Sequence, residues 1–280
     1  MEDTLTIEGR VFKLLGEQRG GSAVYRGDRS FLRIGATRTI QKDLANHREM
    51  EQAGYPVPRI LFEGSFGNKM YFIEQSIGEK SIKNTFTDEY KESGAVSKES
   101  FERLIRIMDL YTRAQRTTSA SAQSELAAGI CLPDALRALP LYAGQIRQRF
   151  HEVAARLERF PNVITHGDLS PTNIYPNGVI DLEDSFTGPI GFDIATALMN
   201  EDWDPDGDYE FVATFRFTEA QKQKYIEHFD TLFADLQLPS FSSGFHDFAF
   251  CRALWVCVGV DKWPKIQKWR FNKIVKEYLS

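Results

Sequence analysis

The stretch from Val163 to Asp193 constrains this chain more than any other part of it. The apolar pair Val163-Ile164 leads into His166-Gly167-Asp168, and Asn173 follows five residues after Asp168. Ile174-Tyr175, a Pro-Asn-Gly turn and Val179-Ile180 then end at Asp181. The pattern predicts a loop, a strand, a tight turn at Asn177-Gly178 and a returning strand. That fold-back brings a carboxylate and an amide close to a second carboxylate. Such a set suits phosphoryl transfer, with Asp168 orienting an attacking hydroxyl and Asn173 and Asp181 holding Mg²⁺ on the phosphates of ATP.

Composition fits that chemistry and excludes others. A chain of 280 residues suits one large domain or two lobes sharing an interface, and 42% hydrophobic residues can build a sizeable core. A net charge of −5 argues against a general binder of nucleic acid or anionic membranes. Cys131, Cys251 and Cys257 lack metal-type spacing and read as reduced, buried thiols. The acidic N-terminus is no signal peptide, and the apolar run Phe248 to Val260 is too short to span a bilayer and contains Arg252. The expectation is a cytoplasmic protein.

His166-Gly167-Asp168 with Asn173, followed by Ile180-Asp181-Leu182-Glu183, resembles the aminoglycoside phosphotransferase and choline kinase superfamily, relatives of the protein kinases. There the loop reads H-G-D-x-x-x-x-N and the next strand I-D-x-E. Gly167 after His166, and the lack of Phe-Gly after Asp181, place the chain on the small-molecule side. The resemblance implies a bilobal α+β fold. A first lobe, residues 1–75, would be an antiparallel sheet with one helix covering the nucleotide. A larger, mainly helical lobe, residues 76–280, would carry catalysis and acceptor binding. It implies ATP and Mg²⁺ as cofactors, a small-molecule hydroxyl compound as partner, and a monomer or weak homodimer. His166 and Asp193 would support the catalytic loop rather than do chemistry.

Upstream, strands are expected at Arg10–Gly16 and Val24–Arg26, joined through Gly20, Gly21 and Ser22. Glycines there let backbone N–H groups approach phosphate. Arg33, on a third strand, stands where the family carries a phosphate-contacting Lys, and a guanidinium can do the same work. Its carboxylate partner belongs on the helix of Thr39–Ala53, where Asp43 and Glu49 compete. After the strand Lys69–Glu74, a hinge at Gln75–Gly78 would offer the Glu74 carbonyl and the Ser76 N–H to adenine, by resemblance.

Beyond the hinge, apolar stripes predict helices. Phe101, Leu104, Ile105, Met108 and Tyr111 form one, capped by Ser97 or Ser100, and Ile146 to Phe160 form another. Thr218 to Gln221 reads as a capping box, and Pro264 interrupts a helical C-terminal region. The acidic run Glu201 to Glu210, with Asp202, Trp203, Asp204 and Tyr209, is either a solvated loop or a wall attracting a cationic acceptor. Glu183 joins it as a candidate acceptor contact. Three other readings stay open: a Ser/Thr protein kinase-like enzyme, a catalytically inactive nucleotide-binding regulator, and a metal hydrolase using His166 and Asp168.

Overall fold

A computed structural model describes residues 2–17, 21–119, 123–199, 215–257 and 264–279. The architecture is α+β. Strands β1 (Thr4–Ile7), β2 (Arg10–Glu17), β3 (Ala23–Arg26), β4 (Ser30–Gly35), β5 (Ile60–Phe66) and β6 (Lys69–Gln75) form an antiparallel sheet in the order β1-β2-β3-β4-β6-β5. Helix α1 (Thr37–Gln52) lies between β4 and β5 in the chain.

Strand parity decides what the sheet offers. Side chains alternate between faces, and residues directly opposite on neighbouring strands share one. Leu32, Ile34, Tyr71 and Ile73 pack with Leu5, Ile7, Phe12 and Tyr25 in one buried cluster. Phe72, on the other face, packs with Ile40 and Leu44 of α1. Arg33 lies opposite Phe72 in the register, and Glu74 is two residues on from Phe72. Both therefore project on the α1 face, beneath the helix.

The rest is helical. Helices α2 (Ile82–Ser93), α3 (Lys98–Thr117), α4 (Leu126–Gly129), α5 (Leu132–Ala138) and α6 (Ala143–Leu157) precede the short strand β7 (Asn162–Thr165). Ser97 caps α3 by accepting from the Ser100 N–H. The hairpin β8 (Ile174–Tyr175) and β9 (Gly178–Val179) follows, then β10 (Phe186–Pro189), which pairs with β7. Tyr175 pairs with Gly178, so Pro176 and Asn177 make the turn, one residue earlier than the Asn-Gly pattern predicts.

Helices α7 (Phe192–Met199), α8 (Glu219–Asp235), α9 (Phe241–Val256) and α10 (Pro264–Tyr278) complete the described chain. The Thr218/Gln221 capping box opens α8 as expected. Pro264 begins α10 rather than interrupting a helix, the position where its missing N–H costs nothing. One large apolar core joins α3, α6, α7, α8 and α9, with α9 running through its middle. None of the three cysteines forms a disulfide; Cys251 and Cys257 are buried, while Cys131 is only half-buried, contrary to expectation. No described helix is long and apolar enough to cross a membrane.

Candidate active site

The segment between β7 and β8 is held from beneath by one carboxylate. Asp193, in the first turn of α7 and wholly buried, accepts from the His166 N–H at 2.8 Å and the Gly167 N–H at 3.2 Å. Tyr111 Oη and Gln115 Nε2, both on α3, donate to the same carboxylate at 2.9 and 2.8 Å. Burial raises the Asp193 carboxyl above its ordinary range, against the pull of His166 and the hydrogen bonds it accepts. Gly167 has φ +84, and a Cβ there would collide with the Asp184 carbonyl, so the turn into Asp168 requires glycine.

From Asp168 the chain folds tightly. The Ser170 N–H donates to the Asp168 carbonyl and the Asn173 N–H to the Ser170 carbonyl, each at 2.9 Å. The Asn173 side chain donates through Nδ2 to the Asp168 carbonyl at 2.9 Å, which fixes which end of its amide is oxygen. The Ile180 N–H donates to the Asn173 carbonyl at 3.0 Å, bringing Asp181 alongside the loop. His166 Nε2–H donates to the Ile180 carbonyl at 2.7 Å, while His166 Nδ1 is buried without a partner. His166 thus ties the loop to the segment that leads from β9 into Asp181.

Asp181 adopts φ 70 and ψ 61, a left-handed conformation uncommon outside glycine and typical of residues held for a task. Its Oδ1 accepts from Arg33 Nη2 at 2.7 Å. Around that ion pair sit Asp43, His47, Glu74 and Glu183, which line a small cavity. α1 turns Asp43 inward and leaves Glu49 exposed. Asp43 Oδ2 is buried without a hydrogen-bond partner, and burial raises its carboxyl. Glu74 is raised by burial as well. Burial, with the charge of Asp181 added, pushes Glu183 up to about 7. Glu183 thus lines the same small cavity as Arg33.

A cavity of about 310 Å³ opens between the sheet and the β8–β9 hairpin. Leu15, Val24, Phe31 and Ile77 give it apolar walls, and Arg33, Glu74 and Asp181 stand at its polar end. At the expected hinge, the backbone of Ser76 is engaged within the sheet. The Ser76 N–H donates to the Arg29 carbonyl at 2.9 Å and Ser76 does not line the cavity, whereas Gln75 and Ile77 do. The Glu74 side chain, rather than its backbone alone, faces inward. Gly21, at φ +77, and the buried Ser22 enter β3 at the sheet's rim. Gly20 and the acidic run with Asp202, Trp203, Asp204 and Tyr209 lie outside the described residues.

The hairpin is fastened to the segment that leaves α1. The Val179 N–H donates to the Pro56 carbonyl at 2.8 Å, and Gly178 abuts that same carbonyl so closely that a Cβ would not fit. Tyr55 Oη donates to the Ile164 carbonyl at 2.7 Å, and Asn46 Nδ2 to the Leu182 carbonyl at 3.4 Å.

Three residues of the site escaped the sequence reading. Tyr111 reads there as part of an apolar stripe, and its hydroxyl role is invisible to periodicity. Gln115 continues the same helix one turn on. Arg252, in α9, pairs with Asp168 through Nη2 and Oδ1 at 2.7 Å. A lone cation in the run F-A-F-C-R-A-L-W-V was the available signal, because a charge among buried apolar residues needs a partner.

Residues 8–225 match the model of a family described as the phosphotransferase enzyme family. No curated protein sequence matches the chain. Among solved structures, the chain is similar to a thermostable mutant of aminoglycoside phosphotransferase APH(4)-Ia in a ternary complex with ADP and hygromycin B. That match has a TM-score of 0.58 at 16% identity and covers 95% of this chain and 93% of the other. An ethanolamine kinase from Plasmodium vivax matches with a TM-score of 0.54 at 12% identity, over 95% of this chain and 81% of that one. At these identities the likeness concerns the fold.

Proposed function

This chain belongs to the phosphotransferase enzyme family, and on that premise we propose that it transfers the γ-phosphoryl group of Mg-ATP to a hydroxyl of a small molecule. The observation that carries the reading is that Asn173 bonds the Asp168 carbonyl and accepts from the Ile180 N–H, which brings Asp181, paired to Arg33, alongside. The acceptor oxygen bonds to the γ-phosphorus as the bond to the bridging oxygen breaks. The acceptor proton passes to Asp168, and ADP leaves with the electron pair. The nucleotide occupies the 310 Å³ cavity, its adenine edge between the Gln75 carbonyl and the Ile77 N–H. The first lobe ends at residue 75, where β6 stops and the helical part begins.

The donors present fit Mg²⁺: the Asp181 carboxylate and the Asn173 amide oxygen are hard oxygen ligands. No cluster of three or more His, Cys, Asp or Glu able to hold a metal occurs among the described residues, which suits an ion that uses phosphate oxygens for the rest of its shell. Held by Asp181 and Asn173, Mg²⁺ would neutralise phosphate charge during transfer. The chain's own residues do the orienting. Arg33 supplies a fixed cation on the phosphate side, Asp168 receives the acceptor hydroxyl, and Asp193 holds the loop in shape. The acceptor is aminoglycoside-, amino-alcohol- or sugar-like, a range supported by a similar fold having been captured with hygromycin B and by another being an ethanolamine kinase.

The test is ADP release from Mg-ATP across a panel of such alcohols, with melting temperature followed in parallel. Mg-ATP is expected to raise the melting temperature by several degrees and Asp181→Ala to remove most of that rise. An unchanged melting temperature with Mg-ATP, together with no ADP release, would sink the reading.

Glu183 adds a pH dependence. Its folded-state carboxyl is held above the ordinary range, so the stability it contributes is complete below about 4.5 and is lost as pH rises through about 7. The melting temperature of the protein without nucleotide is expected to fall from pH 6 to pH 8. Glu183→Gln, neutral throughout, flattens that slope. Equal slopes in the two proteins would assign the titration elsewhere.

A further inference from the structure

We propose that Arg252 is a positioning residue for phosphoryl transfer, gripping Asp168 through Oδ1 so that Oδ2 is the oxygen presented to the acceptor hydroxyl. The inference rests on the reading of Asp168 as the residue that receives the acceptor proton.

Arg252 sits on α9 between Cys251 and Ala253, both wholly buried, in the apolar centre of the helical core. Its side chain is 4% exposed, against 27% for Asp168, so the guanidinium lies behind the carboxylate and the carboxylate lies at the surface of the site. Nη2 donates to Asp168 Oδ1 at 2.7 Å, and Nη1 reaches the Gly167 carbonyl at 3.5 Å. The guanidinium carbon stands 4.1 Å from the centre of the Trp255 ring, one helical turn on, which supports its flat face.

A buried charge of this kind is a poor device for stability alone. Ion pairs taken out of water are often matched or bettered by apolar residues of similar size. What the pair does provide is direction. A proton acceptor must stand within hydrogen-bond reach of the group it serves, and a carboxylate on a loop can swing. Arg252 joins that loop to a helix packed into the apolar core. With Oδ1 taken, the aim of Oδ2 follows from the position of α9.

The probe is Mg-ATP with water as acceptor, read as ADP formation by wild type, Arg252→Met, Arg252→Lys, Asp168→Ala and the double variant Asp168→Ala/Arg252→Met. Arg252→Met is expected to lower kcat by about tenfold to a hundredfold, the cost of a misplaced catalytic group, with KM for Mg-ATP within about twofold. Arg252→Lys, which keeps the charge and loses the planar fork, falls between Met and wild type. Added guanidinium restores part of the Arg252→Met rate. In the Asp168→Ala background the Arg252 substitution costs nothing further, because it acts through that carboxylate.

Wild-type kcat in both Arg252 variants, beside an inactive Asp168→Ala, overturns the positioning role alone. So does an Arg252 loss that recurs in full in the Asp168→Ala background. Full activity in Asp168→Ala overturns the underlying reading instead. If Arg252→Met loses its Mg-ATP-dependent melting shift, the Lys variant and its order between the other rates decide the matter.

Discussion

Asp168→Ala is expected to lower kcat for phosphoryl transfer by roughly a thousandfold while leaving KM for Mg-ATP within about twofold, the size typical of losing a positioned proton acceptor. Asp168 does not line the cavity proposed for the nucleotide, and the contacts that would hold the nucleotide come from elsewhere: Arg33, Asp181 and the cavity walls. Its loss therefore falls on the chemical step. Alanine also strips Arg252 of its partner and leaves a buried guanidinium, so a stability cost of about 1–3 kcal/mol accompanies the kinetic one. Asp168→Asn separates the two effects. It keeps the shape and an oxygen for Arg252 but cannot take a proton, so it should be nearly as slow as alanine while melting closer to wild type. An asparagine variant with wild-type kcat would remove Asp168 from the chemistry.

Asp193→Asn should damage the protein in a different way. The carboxylate accepts at both oxygens: Oδ2 from Tyr111, Gln115 and the His166 N–H, and Oδ1 from the Gly167 N–H. An amide can satisfy one side only, because its NH₂ must then face a donor. With the site wholly buried, no water relieves the mismatch, and the cost is about 3 kcal/mol. Equilibrium denaturation would read that loss directly. Turnover should fall as well, because His166 and Gly167 immediately precede Asp168 and their amides set its direction. A variant with wild-type stability and turnover would reduce Asp193 to a helix cap.

What could be read from the sequence follows from how each feature is encoded. Strands and amphipathic helices announce themselves by local periodicity, and the catalytic loop by residue types at close spacing. The sequence cannot say which hinge amides are free, because backbone donors carry no side-chain signature; only the pairing of Ser76 with Arg29 reveals that its amide is engaged. The turn at Pro176-Asn177 was misplaced for a related reason. Asn177-Gly178 is the commoner hairpin pair, but Gly178 is needed where the hairpin meets the Pro56 carbonyl. Arg252 is 84 residues from Asp168 in the chain, and no local pattern links them. A buried cation predicts that a partner exists, not which one.

The bonds that tie β7, β9 and the turn after Asp181 to the end of α1 and Pro56 also have a mechanical consequence. Val179, Ile164 and Leu182 are all moored to the stretch between Asn46 and Pro56, at the rear of the cavity. That rear edge acts as a fulcrum. Any widening of the cleft is levered about it, so β1 to β3 at the far rim travel furthest while Asp181 and the end of α1 keep their spacing. On the proposed reading, nucleotide exchange would then be a matter of lifting the rim. The Arg33–Asp181 end would stay assembled through each cycle, and the β2–β3 rim would bear the work of opening and closing.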